Sequence, residues 1–161
     1  MNTQETIKKL QEAGYIYRGQ LINDLIYLER LIDEAVSRHF CADLEKKKEL
    51  IELMLSNERI GFYNKVQIFE YIFKTHRPEF VKANPNIFSD IKKLIDERNI
   101  VAHYLLDTSE TGKSEYINNG KIGFVKFRNS TETLWRTQEM YLNFHLMTSN
   151  YIKLLSTLLT T

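Results

Sequence analysis

The chain has 161 residues, with 22 Lys and Arg against 21 Asp and Glu, so its net charge is +1. That length suffices for one domain with a real core, and 43% hydrophobic with 27% charged residues is ordinary globular composition. A polycationic nucleic-acid binder is excluded, so nucleic acid would have to be held by a local patch, and the single cysteine, Cys41, excludes an intrachain disulfide.

Six glycines and two prolines argue against long irregular stretches. The opening Met1-Asn2-Thr3-Gln4-Glu5 has no secretory pattern, and no apolar run reaches the length of a membrane span. The expected location is the cytoplasm, with no membrane partner.

In chain order, the first predicted element is one long helix from Thr3 to Phe40. Leu21, Leu25, Leu28, Ile32, Val36 and Phe40 fall on steps of three and four. Gly14 and Gly19 mark a break or a close contact in its early part. A second helix runs from Leu44 to Ser56, opening on Glu45-Lys46-Lys47-Lys48-Glu49, a solvated face. Gly61 separates a third, Phe62 to His76, which Arg77-Pro78 ends because the residue before proline resists helical geometry. Lys65 points toward the core of this helix and needs an acid among Asp24, Glu29 and Asp33.

Asn84-Pro85 opens the fourth helix as cap and first turn. Its apolar positions are Ile87, Phe88, Ile91, Leu94, Ile95, Val101 and Leu105. Asp107 to Ser114 reads as a loop. Asn119-Gly120 between apolar residues predicts a β-hairpin over about 115–128. Arg128-Asn129-Ser130-Thr131 leads into a final helix that is apolar around most of its girth, including Tyr141, Leu142, Leu146, Leu155 and Leu158. Such a helix is expected to be covered on two sides, one of them by a second subunit.

Chemistry concentrates at Arg98-Asn99-Ile100-Val101-Ala102-His103. With Arg98 at zero on a helical projection, Ile91, Leu94, Ala102 and Leu105 lie within about 45° of it. A guanidinium in an apolar stripe needs either a carboxylate, with Glu29 and Asp33 as the candidates, or a cleft. His103 lies about 140° around the helix from Arg98 and about 7.5 Å along it. One helix alone is therefore a poor site. Two copies about a twofold axis would bring two arginines and two histidines into one groove.

This segment, late in a helix of an α-helical chain, resembles the HEPN superfamily. The matching residues are Arg98, Asn99 and His103. The long acidic first helix, the middle helices, the motif helix and the final helix follow the same order. The resemblance implies an all-α, up-and-down HEPN-like bundle, one domain over 1–161, with the hairpin inserted. It implies a homodimer, an RNA substrate and metal-independent endoribonuclease chemistry in RNA processing, phage defence or toxin–antitoxin systems. An antitoxin or other regulatory protein is then a further partner. It assigns proton transfer to His103, phosphate binding to Arg98 and orientation to Asn99, with no cofactor. The branch paired with nucleotidyltransferase antitoxins carries a tyrosine two residues after the histidine. Leu105 occupies that place here, and Tyr104 directly follows His103. Other members are non-catalytic dimerisation or binding modules, and that is the alternative reading.

The remaining candidates read as structural. His39 and His76 are helix-end histidines that complement a helix dipole. Cys41 is a buried filler, and His145 is a core or interface residue. No Cys-x-x-Cys or His-Glu-x-x-His pattern occurs, so no metal is expected. Gly112-Lys113-Ser114 lacks the upstream glycine of a P-loop, and no serine has a nucleophile-elbow context.

Overall fold

Apolar residues three and four apart set most of the elements in the computed structural model, which describes residues 3–56, 60–126 and 133–160. The helices are α1 (Thr3–Phe40), α2 (Leu44–Leu50), α3 (Phe62–His76), α4 (Pro78–Ala83), α5 (Ile87–His103), α6 (Glu110–Asn119) and α7 (Gln138–Thr160). A π-helical turn, Ile51–Leu55, prolongs α2. Strands β1 (Leu105–Leu106), β2 (Ile122–Val125) and β3 (Thr133–Arg136) complete the described elements. Helix dominates, and the sheet is small and antiparallel.

The chain forms two compact units, and α1, α5 and α7 contribute to both. One comprises Leu25–Ile95 and Met147–Thr161. Its core is Leu25, Leu28 and Ile32 of α1, Val66, Phe69 and Phe73 of α3, Ile87, Ile91 and Leu94 of α5, and Leu155 of α7. The Phe69 ring lies 4.2 Å from Phe73 and 5.6 Å from Phe88, centroid to centroid. Lys65 is buried here, and Nζ donates to Glu29 Oε1 at 2.5 Å and to Asp33 Oδ2 at 3.0 Å. Two of the three acids expected for it are therefore its partners. Burial pushes the Asp33 carboxyl up to about 6 despite the ammonium, and the neighbouring Glu29 charge adds to the rise.

The other unit comprises Met1–Asp24 and Asp96–Leu146. Its core holds Leu10, Tyr17, Leu21, Val101 and Phe124. The sheet order is β1-β2-β3, with Leu106 opposite Phe124 and Ile122 opposite Arg136. Gly14 lies in the buried stripe of α1 without a break. A Cβ there would stand 2.8 Å from Leu106 Cδ1, so the residue permits a close approach of β1.

Four expectations are corrected. Asn119-Gly120 makes no hairpin turn. Gly120 is left-handed (φ 61°, ψ 25°), and its N–H donates to the Glu115 and Tyr116 carbonyls, which terminates α6. Asn-Gly serves equally as a helix stop and as a hairpin turn, because both use a residue with positive φ. The expected insertion over 115–128 is thus the end of α6 followed by β2, the central strand, whereas Phe127 and Arg128 lie outside the described residues. Asp107 to Ser114 is only partly a loop: Ser109 Oγ accepts from Gly112 N at 3.2 Å and starts α6. Arg77-Pro78 ends α3 as expected, but proline then opens the short α4, and α5 begins at Ile87, two residues beyond Pro85. Lastly, β3 precedes α7, with Arg128-Asn129-Ser130-Thr131 outside the described residues. Within this chain α7 buries Thr148 and Leu155 and leaves Met140, Leu142 and Leu146 exposed.

Candidate functional site: the end of α5

The early part of α5 buries Ile87, Phe88, Ile91, Leu94 and Ile95. Its late part buries Glu97 and Val101 instead. At 100° per residue the second set lies about 100° around the helix from the first. The buried face therefore turns at Asp96. Arg98, which continues the early stripe, is left half-buried at its margin, and Asn99, Ala102 and His103 are exposed.

Arg98 forms no ion pair with any described residue. Its Nη1 donates to Asn99 Oδ1 at 3.2 Å. The carboxylates expected for it, Glu29 and Asp33, hold Lys65 instead. His103 is the last residue of α5, and its imidazole has no hydrogen-bond partner among the described residues. The next carbonyl, that of Tyr104, accepts from the Arg18 guanidinium of α1. The Arg18 Cζ lies 5.3 Å from the Phe124 ring centroid, and burial lowers its pKa from the usual arginine value. Arg18 thereby fixes the chain just beyond His103. Arginine at position 18 carries no local signal for that role; only the fold brings it there.

Glu97, beside the motif, is a buried charge of this unit, and sequence reasoning passed over it. Arg136 donates Nε to Glu97 Oε1 at 2.6 Å and Nη2 to Oε2 at 2.7 Å. Tyr17 Oη donates to Oε1 at 2.7 Å. This bidentate pair satisfies both carboxylate oxygens. The hydrogen bonds to Glu97 hold the Arg136 guanidinium above its ordinary range. Burial, then the Glu97 charge, pushes the Tyr17 phenol well up.

Above this network opens a cavity of about 610 Å³, lined by Ile16, Tyr17, Tyr116, Ile122, Arg136 and Tyr141 among others. Arg98, Asn99 and His103 do not line it. His145 is exposed rather than part of the core, and its Nδ1 lies 2.9 Å from Asp24 Oδ2. Cys41 is half-buried and free.

Arg98 and Asn99 thus stand together, with His103 farther along the same exposed helix end. One copy presents the Arg98 guanidinium and an imidazole without a hydrogen-bond partner among the described residues, about 140° apart around the helix. Comparison with protein-family models, with curated proteins and with solved structures found no match.

Proposed function

We propose that this chain is a HEPN-like, metal-independent endoribonuclease whose groove is completed by a second copy of itself. The observation that carries the reading is that Arg98 and His103 are spared from structural duty. The neighbouring Glu97 takes Arg136 and Tyr17, Lys65 takes Glu29 and Asp33 of α1, and His103 is exposed with no partner among the described residues. A charged side chain at the margin of an apolar stripe without a carboxylate is available for a ligand anion.

The chemistry is transesterification. One His103 imidazole removes the proton of the ribose 2′-hydroxyl, and the 2′-oxygen attacks phosphorus. The P–O5′ bond breaks, and the departing 5′-oxygen takes a proton from the protonated His103 of the second copy. The products are a 2′,3′-cyclic phosphate and a 5′-hydroxyl. Arg98 would hold the non-bridging oxygens as charge grows on them, and Asn99, bonded to Arg98, would set the direction of its fork. The exposed Leu142 and Leu146, one turn apart on α7, offer an apolar surface for association of the copies.

RNA incubated with the protein in excess chelator should be cut to cyclic-phosphate ends, and His103→Ala should abolish cutting with little change in melting temperature. Cutting by a folded His103→Ala protein would remove the proposal. A dimer that cuts no RNA would favour the alternative, a HEPN-like association module.

A further inference from the structure

A second cluster of basic side chains lies in the unit made of Leu25–Ile95 and Met147–Thr161, where α1 and α3 end side by side. A cavity of about 300 Å³ is lined by Arg38 and His39 from the last turn of α1 and by His76 and Arg77 from the end of α3. Phe73 and Leu158 form part of its apolar wall. No Asp or Glu lines it. The His39 and His76 rings are 4.7 Å apart, centroid to centroid.

Helix dipoles account for one basic residue at each helix end. They do not account for two ends converging with four basic side chains on one cavity. Arg38 is fixed in place: its Nε donates to Glu34 Oε1 at 2.7 Å, and Nη1 donates to the Leu159 carbonyl. The side chains of His39, His76 and Arg77 have no hydrogen bond or ion pair to any described residue. Their N–H donors are therefore unspent among the described residues and are available to an anion seated in the cavity.

We propose that this cavity binds the phosphate group of a small phosphate monoester, with the ester's apolar part against Phe73 and Leu158. A dianion matches two imidazoles and the free guanidinium of Arg77 better than a single carboxylate does. The volume exceeds what a bare phosphate fills, and the apolar wall accounts for the remainder. The site is independent of Arg98 and His103 and does not rest on the ribonuclease reading.

The chain has four histidines, so each imidazole NMR signal can be assigned by single His→Gln variants. At fixed pH and ionic strength, inorganic phosphate and phenyl phosphate should move the His39 and His76 signals saturably and leave those of His103 and His145 in place. Phenyl phosphate should bind about tenfold more tightly than phosphate, and Arg77→Gln should weaken it about tenfold without moving the unfolding midpoint. His103→Ala should leave this binding intact. Absence of saturation, parallel shifts at all four histidines, or benzoate binding as tightly as phenyl phosphate would each overturn the proposal.

Discussion

Glu97 and Arg98 are neighbours with opposite fates. One peptide step turns a side chain by about 100° around a helix, enough to carry Glu97 into the core and leave Arg98 at its edge. Glu97 is 3% exposed and answers to two donors on other elements. Removing it strands the Arg136 guanidinium and the Tyr17 hydroxyl. Glu97→Ala should therefore destabilise the fold by about 3–5 kcal/mol, as read by denaturant unfolding. A loss below about 1 kcal/mol, the scale of an exposed ion pair, would show that the network is not what holds this unit. The acid partners of Lys65 were legible in the sequence because a lysine between apolar helix positions demands a carboxylate, and two of the three α1 acids expected for it, Glu29 and Asp33, supply one. The partner of Glu97 was not: Arg136 lies in a strand 39 residues away, and no periodicity announces such a pairing.

At the scale of elements, the sequence was clearest where one apolar period runs unbroken. Thr3–Phe40 and Phe62–His76 are helices over the bounds that their patterns dictate. It was least clear where one signal serves two structures. Asn119-Gly120 closes a helix here because Ser109 had already started one ten residues upstream, and a glycine in the left-handed region ends either structure. Replacing Gly120 by Ala forces a Cβ into that conformation and should cost about 1 kcal/mol, measured by thermal unfolding. A neutral effect would mean that the α6 terminus relaxes without its cap. Strands as short as Leu105–Leu106 carry no alternation to read, so the sheet's first strand stayed invisible, although its partner β2 showed partial alternation. The candidate site was legible as a motif, but its exposure was not. The turn of the buried face at Asp96 depends on which neighbours α5 meets along its length.

For the whole molecule, the question is whether one copy suffices. Arg98 and His103 project from different faces of α5, about 140° apart, so a single chain is a poor clamp for one phosphodiester. The exposed Leu142 and Leu146, 52% and 59% accessible, are the apolar surface proposed for association of two copies. Leu142→Glu together with Leu146→Glu should convert a dimer into folded monomers in sedimentation velocity and abolish cleavage with it. A dimer that survives both charges would place the interface elsewhere. With a net charge of +1, RNA binding would draw on the groove's own cations rather than on a global field.

The most direct measurement compares wild type with Arg98→Ala and His103→Ala for unfolding midpoint and for RNA cleavage in excess chelator, in the same preparations. The account predicts stabilities within about 0.5 kcal/mol of wild type, as for surface positions, cyclic-phosphate products from wild type, and none from either variant. Undiminished cleavage by a stable variant would contradict it, as would an Arg98→Ala protein that unfolds like one stripped of a buried ion pair.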